Sequence, residues 1–356
     1  MTGRAAPFCA ARVAPTLAPM SDQRDPAPSP APSPWAVSDP GVPAHRKVGV
    51  VGAGGVGTAI AYATLIRGVA REVALYDIDE PKVRAEVLDL AHGTPFTSAD
   101  AMTGGADPAV LAEAEIVVVT AGAKQKPGQT RLDLAERNVA ILHDLLPRVQ
   151  AAAPDALIVL VTNPVDVLTL VAQRITGLPA GRVIGSGTLL DTSRLRWLLA
   201  GRAGVHTSSV HASILGEHGD TEFPAWSSAR IGPMPILEWP DAAAPLFSLA
   251  DLDAIAHTVT NAAYEVIQGK GATTYAVGVA TTRLLEAVLR DQHAILPVST
   301  VLDGPHGLHD VALSLPAVVG RAGVERVIPL ELDAAETAKL QASAAALRAT
   351  AARFGF

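Results

Sequence analysis

The sequence is poor in cysteine and contains no long uninterrupted apolar run. Cys9 is the only cysteine among 356 residues, so the chain can form neither an internal disulfide nor a thiolate metal site. This composition fits a reducing compartment, and we expect a cytoplasmic protein. The most apolar 18-residue stretch, ALIVLVTNPVDVLTLVAQ, is interrupted by Asn163, Pro164 and Asp166. We therefore expect no membrane association, because a spanning helix needs a longer apolar segment.

An excess of positive charge is also missing. The chain has 28 Lys and Arg against 35 Asp and Glu, a formal net charge of −7 with both signs interspersed. A nucleic-acid-binding protein would normally show a basic face, so we expect no nucleic-acid partner. The hydrophobic content of 49% allows most of the chain to bury a core. Because 356 residues exceed the usual size of a single core, we expect two domains and a tail.

The tail covers residues 1–46. Its run DPAPSPAPSPWAVSDPGVP alternates proline with small residues, which is typical of an extended, solvated chain, and we expect it to be disordered. Pro7 and Pro15 interrupt any apolar segment that could serve as a signal peptide. Met20 is an alternative start of translation that the sequence leaves open.

The folded part begins with a pattern typical of dinucleotide binding. A predicted strand, KVGVV, runs into GAGGVG and a helical segment, and a second predicted strand ends at Asp77. Gly52 permits the tight turn, Gly54 lets a pyrophosphate approach the backbone, and Gly57 lets the helix pack on the strand. An acidic side chain about 20 residues further on, at the end of the next strand, binds ribose hydroxyls and favours NAD over NADP. The alternative is an ordinary glycine-rich turn, which the combined pattern disfavours.

Strands and helices then alternate, which predicts a doubly wound parallel sheet. Further strands are predicted near 101–103, 116–120, 157–161 and 182–184, with helices at 80–93, 130–152 and 167–175. The Gly52 loop, Asp77, Gly122 and Asn163 all follow predicted strands, and ligands bind such sheets at the carboxyl ends of strands. We therefore predict a Rossmann-type NAD-binding domain at 47–186.

From Gly187 onwards the pattern is mixed. A helix is predicted at 189–200, followed by the mostly extended segment SSVHASILGEHGDTEFPAW. Later segments predict helices near 252–268, 274–290 and 334–352 and strands near 295–302 and 311–319. This order predicts an α+β substrate or catalytic domain at 187–356.

A nicotinamide cofactor moves a hydride, so the protein must handle a proton and a charge. His218, in the turn-prone sequence GEHGD, is the best proton donor. Asp191 could orient its imidazole, and Arg194, three residues further along the predicted helix, could bind a carboxylate in a bidentate manner. Arg131 could polarise a carbonyl if the loop at 121–135 closed over the substrate. Singly, a surface histidine and a helical Asp–Arg ion pair are more ordinary explanations; the combination favours catalysis.

Seven motifs occur in a recognisable order: GAGGVG, LYD, AGAKQKPGQTR, VTNPVD, GSGTLLDTSRLRW, LGEHGDTEFPAW and KGATTYA. Together they resemble the lactate/malate dehydrogenase family, and in particular its bacterial lactate-specific members. The resemblance covers the chain from Lys47 to the C-terminus and leaves out only the tail.

The resemblance implies a role for each matching position. His218 would be the acid/base, Asp191 its partner, and Arg194 the group that binds the substrate carboxylate. Arg131 would polarise the carbonyl, and Asn163 would hydrogen-bond near the reacting oxygen and the nicotinamide. The remaining matches are a substrate-pocket threonine, Thr273, and the cofactor-lining positions Val56, Asp77, Lys82, Gly122, Ala123 and Ser186.

Substrate choice depends on Gln125. Malate dehydrogenases resemble this loop but carry arginine at that position, which pairs with the second carboxylate of oxaloacetate. With glutamine, that carboxylate would be enclosed without a partner, so pyruvate and L-lactate are the expected substrates. Lys124 and Lys126 flank Gln125, and we interpret them as solvated loop residues. Two alternatives stay open: a malate or bulkier 2-hydroxyacid dehydrogenase, and an inactive NAD-binding sensor.

The resemblance also raises the question of regulation. Many bacterial members are activated by fructose 1,6-bisphosphate, and Arg196 and His211 occupy the corresponding positions. Relatives that are not activated keep these residues too, and ordinary interface or surface hydrogen bonding explains them equally well. The family further implies a homotetramer.

Overall fold

The computed structural model describes residues 46–123, 131–240 and 244–356, without the side chain of Arg131. The predicted disorder of the tail and the predictions for Lys124, Gln125 and Lys126 therefore lie outside the described residues, as does the predicted role of the Arg131 side chain.

The described residues form short strands and longer helices in alternation. The strands, in chain order, are β1 (Lys47–Val51), β2 (Glu72–Tyr76), β3 (Ala101–Gly105), β4 (Ile116–Val119), β5 (Leu157–Leu160), β6 (Val183–Gly185), β7 (Val210–His211), β8 (Ile214–Leu215), β9 (Phe223–Pro224), β10 (Arg230–Ile231), β11 (Met234–Pro235), β12 (Ala294–Asp303), β13 (His309–Gly320) and β14 (Gly323–Val327). The helices are α1 (Gly55–Ile66), α2 (Glu80–Gly93), α3 (Arg131–Ala152), α4 (Val165–Thr176), α5 (Leu189–Ala203), α6 (Leu249–Lys270), α7 (Tyr275–Leu289) and α8 (Ala334–Ala352).

A nine-stranded sheet organises the fold, with the order β14-β13-β12-β6-β5-β4-β1-β2-β3. Strands β1 to β6 are parallel, and the order reverses beside β1, which pairs with both β2 and β4. This is the topology of a Rossmann-type sheet, and the crevice at the reversal is where such sheets bind dinucleotides. The predicted fold class is confirmed. The short apolar strands β4 and β5 are buried along their whole length because helices cover both faces of the sheet.

The last three strands of the sheet come from the second half of the chain. Strand β12 pairs antiparallel with β6 through Ser299 and Gly185, and β13 and β14 extend the sheet. The sequence pattern does not predict this continuity, because it does not show which strands pair. Strand β14 also lies in a segment where no strand is predicted. The sheet therefore joins the two halves of the chain through backbone hydrogen bonds.

Two apolar layers cover the sheet. Side chains of α3, α4 and α8 pack on one face, and side chains of α1 and α7 pack on the other. A third cluster joins α5 and α6 with the small sheet of β7, β10 and β11 through residues such as Leu195, Leu199 and Val259. In the parts of the chain that the structure describes, no helix is long and apolar enough to cross a membrane.

Candidate active site

The glycine loop between β1 and α1 contains two kinds of glycine: those that the backbone itself requires and one that faces open space. A Cβ on Gly57 would lie 1.8 Å from the Gly52 carbonyl oxygen, and Gly52 itself has a φ of +106°. Both positions therefore need glycine for the protein's own backbone. A Cβ on Gly54 would meet no heavy atom within 4 Å, so this glycine faces open space at the start of α1. That space, next to the free N–H groups of a helix N-terminus, fits the pyrophosphate of a dinucleotide.

Asp77 stands at the end of β2, next to this loop. Its Oδ2 accepts the backbone N–H of Ala53 at 2.6 Å, and its Oδ1 accepts that of Asp79 at 3.0 Å. The carboxylate thus fixes the glycine loop in addition to its predicted contact with the ribose. Because a carboxylate can accept about four hydrogen bonds, two acceptor sites stay available for ribose hydroxyls.

Asn138 is a structural residue of the site that sequence reasoning missed. Its buried side chain, on α3, accepts the N–H of Ala123 and donates to the carbonyl of Asn163, each at 2.7 Å. It therefore joins the loops that follow β4 and β5 at the carboxyl edge of the sheet. A Cβ on Gly122 would lie 2.4 Å from Thr162 Cγ2, so this loop packs too tightly for a larger residue. A polar residue two turns into a helix after a glycine loop was the available signal.

The other predicted cofactor positions lie around the same edge. Val56 is half-buried in the first turn of α1, and Ser186 is half-buried just after β6. The side chain of Lys82 is exposed, while its backbone N–H donates to Asp79 Oδ1 and caps α2. The Asn163 side chain is exposed at the edge, and the Thr273 hydroxyl is buried and has no hydrogen-bond partner within the described residues.

The structure brings His218, Asp191 and Arg194 together. His218 follows β8, and its Nδ1 lies 2.6 Å from Asp191 Oδ2. Asp191 is buried in the first turn of α5, and Arg194 Nη1 donates to its other oxygen at 2.5 Å. With Nδ1 held by a carboxylate, the Nε2 atom of the imidazole is available for proton transfer. The guanidinium keeps further N–H groups for a ligand carboxylate, since it has five donors.

A second carboxylate, Asp166, supports His218 from the first turn of α4. This buried side chain accepts the backbone N–H of His218 through Oδ2 at 2.7 Å. Burial raises the pKa of Asp166 to about 6, while the Ser299 hydroxyl and the His218 N–H act in the opposite direction. Because α4 begins right after Asn163, this bond ties the histidine to the carboxyl end of β5. Sequence reasoning missed the role of Asp166, although it closes the VTNPVD motif.

A third carboxylate, Glu222, completes the cluster. One carboxylate oxygen each from Asp191 and Glu222 and one ring nitrogen of His218 all lie within 4.8 Å of one another. Such a group could hold a metal ion, but the adjacent Arg194 cation opposes this, and acid/base chemistry suits the four residues better. Glu222 was not predicted; its signal was a carboxylate four residues after the histidine, directly before the apolar run that begins at Phe223.

The cluster shifts the pKa values of its members. Burial lowers the pKa of His218, but the charge and hydrogen bond of Asp191, with help from Glu222 and Asp166, raise it to about 9. Burial would raise the pKa of Asp191, but His218 and Arg194 hold it below its usual value. His218 is therefore protonated at neutral pH, the state that its predicted role as a proton donor requires.

Arg196 and His211 lie away from this cluster, on the other side of α5. Arg196 is largely buried, which lowers its pKa, and its Nε donates to the Ala212 carbonyl at 2.8 Å. His211, the residue before Ala212, is exposed on β7. The structure thus places the two predicted effector residues near each other along the α5–β7 contact.

Comparison with known proteins identifies the chain's relatives. The family model for the lactate/malate dehydrogenase NAD-binding domain matches residues 46–185, and that for the alpha/beta C-terminal domain matches residues 188–354. The chain is 48% identical over 313 residues to the L-lactate dehydrogenase of Bifidobacterium animalis subsp. lactis, covering 87% of this chain and 97% of that protein. It is 47% identical over 302 residues to the L-lactate dehydrogenase of a Synechococcus species, covering 85% and 97%.

Solved structures agree with these matches. A lactate dehydrogenase from a deep-sea metagenome superimposes with a TM-score of 0.84 at 39% identity, covering 88% of this chain and 99% of that one. The minor L-lactate dehydrogenase of Enterococcus mundtii gives 0.83 at 41% identity, covering 87% and 98%. This chain is therefore an NAD-dependent oxidoreductase that belongs to the lactate/malate dehydrogenase family.

Proposed function

We propose that this enzyme is an L-lactate dehydrogenase that reversibly reduces pyruvate to L-lactate with NADH. The observation that carries the proposal is the bonded set of His218, Asp191 and Arg194, tied through Asp166 to the carboxyl edge of the sheet. A proton donor and a carboxylate-binding cation thus lie by the crevice that fits the dinucleotide. These are the two groups that reduction of a 2-oxo acid requires.

Each residue has a role in this proposal. Bound in the crevice beside the glycine loop, NADH would supply the hydride for the carbonyl carbon. His218 donates the proton on Nε2 to the carbonyl oxygen, while Asp191 holds Nδ1–H and stabilises the imidazolium before transfer. Arg194 binds the substrate carboxylate with its remaining N–H groups. In the direction of lactate oxidation, His218 accepts the hydroxyl proton.

The other predicted site residues have supporting roles. The glycine loop and Asp77 would hold the pyrophosphate and ribose of NAD, along the edge formed by Gly122, Ala123 and Ser186. Asn163 and Thr273 would contact the substrate side of the nicotinamide. Arg131 would polarise the substrate carbonyl from the closing loop at 121–135. The proposed division into an NAD-binding domain at 47–186 and a catalytic domain at 187–356 follows the same split of roles.

The choice of pyruvate over oxaloacetate rests on Gln125. Replacing it should supply the missing cation: Gln125→Arg is expected to raise kcat/KM for oxaloacetate relative to pyruvate by about tenfold to a hundredfold, the worth of one charged hydrogen bond. Lys126→Arg, which places an arginine one residue further along, is the matched control and should leave the preference near that of the wild type. An unchanged preference in Gln125→Arg would contradict the substrate assignment.

Two alternatives are tested by the same kinetics. Wild-type kcat/KM values for pyruvate, oxaloacetate and a branched 2-oxo acid distinguish a lactate enzyme from a malate or bulkier 2-hydroxyacid dehydrogenase. An inactive NAD sensor would turn over none of them. The intact set of His218, Asp191 and Arg194 disfavours the sensor, since NAD binding alone needs no proton donor.

We further propose that fructose 1,6-bisphosphate activates the enzyme through Arg196 and His211. Support comes from their proximity at the α5–β7 contact and from Trp197, a neighbour on α5 whose side chain is 69% exposed. An exposed tryptophan beside two cationic or ionisable groups suits a site shared between subunits. The test is the pyruvate saturation curve with and without the bisphosphate. A curve that does not move would remove this proposal.

We also propose that the enzyme is a homotetramer. Helices α1 and α7 pack against each other, and their outer surface exposes Tyr62, Ile66, Tyr275 and Val279, each more than half accessible. Neighbouring exposed apolar side chains of this size favour a contact with another subunit. Light scattering measures the mass of the assembly directly. The cytoplasmic location stays a prediction from the single cysteine.

A further inference from the structure

Glu222 has no part in the mechanism described above, yet it lies within the catalytic cluster. It directly precedes β9. One of its carboxylate oxygens, one of Asp191 and a ring nitrogen of His218 all lie within 4.8 Å of one another. Its side chain is half-buried, with Arg194 on α5 and Thr260 on α6 as its other polar neighbours.

The position of Glu222 poses an electrostatic problem. A second ionised carboxylate beside Asp191 would be repelled by it and would also repel an incoming substrate anion. The protein resolves this by protonation. Burial and the charge of Asp191 raise the pKa of Glu222 to about 8, while His218, Arg194 and Thr260 act in the opposite direction. At neutral pH the carboxyl is therefore mostly neutral and does not repel a substrate held by Arg194.

We propose that Glu222 is a positioning residue that keeps the His218 imidazole protonated as the pH rises, through the charge its carboxyl group acquires. The geometry provides the coupling: a carboxylate this close to an imidazolium stabilises it. When Glu222 loses its proton, the new negative charge opposes loss of the proton from His218. The two groups then titrate as a pair, and the histidine remains a competent donor over a wider pH range. The inference rests on the proposed pyruvate reduction.

The charged groups around His218 limit the alternatives. Asp191 on α5 and Asp166 on α4 also raise its pKa, but Asp191 stays ionised throughout and Asp166 contacts the backbone rather than the ring. Among the described carboxylates in this cluster, Glu222 alone has a pKa close enough to that of His218 to change charge in the same range. It is therefore the group whose removal should alter the shape of the pH profile.

The test is the pH dependence of kcat at saturating NADH and pyruvate, which reports proton donation in the bound complex and excludes repulsion of the free substrate anion. In Glu222→Gln, the alkaline limb of the profile, where activity falls as the pH rises, should move to lower pH by about one unit. The reason is that an opposite charge at this distance raises the pKa of a histidine by at least that much. The ratio of wild-type to variant kcat should accordingly grow as the pH rises. Glu265→Gln, an exposed glutamate on α6, is the matched control and should keep the wild-type limb.

A second variant keeps the test decisive if Glu222→Gln does not fold. Thr260→Val removes a hydroxyl that favours the ionised carboxyl of Glu222, so the limb should move in the same direction by a smaller amount. Glu222→Asp should restore part of the wild-type profile. Limbs that superimpose on the wild type, or a loss by the same factor at every pH, would overturn the role of Glu222. A wild-type enzyme that does not reduce pyruvate would instead overturn the proposed function.

Discussion

The dinucleotide edge and the catalytic cluster are built in opposite ways. The glycine loop and Asp77 lie within one strand–helix–strand unit, and their fit depends on how closely backbone atoms approach each other. The cluster around His218 draws Asp166, Asp191 and Glu222 from separate elements, and its hydrogen bonds span 27 and 52 residues of sequence. The first region is a steric device, and the second is a balance of buried charges.

This contrast predicts different consequences of mutation. Adding atoms in the glycine loop should lower the stability of the fold or weaken cofactor binding. Removing a titratable group from the cluster around His218 should lower turnover or change its dependence on pH. Variants in the two regions should therefore separate binding, stability and proton transfer.

The largest effect is expected in the cluster. His218→Ala removes the proposed proton donor and should lower kcat for pyruvate reduction by about a thousandfold, within the usual range for a general acid. NADH binding, measured by fluorescence titration, should stay within a few-fold of the wild type, because the glycine loop and Asp77 are untouched.

His257→Ala, an exposed histidine on α6, is the matched control and should retain full turnover. Undiminished turnover in His218→Ala would remove this residue from the mechanism. A parallel loss of NADH binding would show that the two regions are not separable.

The next largest effect distinguishes the glycines of the loop. Gly57→Ala should lower the free energy of unfolding by about 3 kcal/mol or more, because its Cβ would lie 1.8 Å from the Gly52 oxygen. Gly54→Ala should leave stability nearly unchanged, since its Cβ would meet no atom within 4 Å, and should weaken NADH binding instead.

Urea unfolding and NADH titration of both variants provide the measurements for this pair. Each glycine serves as the control for the other. Equal losses of stability in the two variants would show that Gly54 is also fixed by packing and does not face the cofactor.

The contrast also explains how much could be predicted from the sequence. Glycines, strand and acidic residue fall in one short window, so Gly52, Gly54, Gly57 and Asp77 follow from local pattern alone. The pairing of β12 with β6 could not be predicted in this way, because pairing between distant strands leaves no mark in either segment. The sequence therefore predicts the fold class but not the continuity of the sheet.

The cluster shows the same limit. His218, Asp191 and Arg194 were found because their residue types suit a known chemistry and their motifs resemble a family. Asp166, Glu222 and Asn138 were missed because their importance comes from burial and from partners far away in sequence. A polar residue in an apolar segment signals such a role but does not name its partner.

The smallest of the predicted effects concerns Asp166 and has no counterpart at the glycine loop. Its pKa is raised from 3.8 to about 6, so between these pH values the folded protein holds a proton that the unfolded chain has lost. The contribution of Asp166 to stability should therefore fall as the pH rises through this window, by about 2 to 3 kcal/mol. Asp166→Asn cannot ionise, so the difference in unfolding free energy between wild type and variant should shift in favour of the variant between about pH 4 and pH 7. Urea unfolding across this range measures the difference, with Asp155→Asn as an exposed control that should follow the wild type. Parallel curves for wild type and Asp166→Asn would mean that Asp166 is already ionised throughout this range. Ionising this buried carboxyl group would then cost the folded protein no stability, and the cluster would not differ from the glycine loop in this respect.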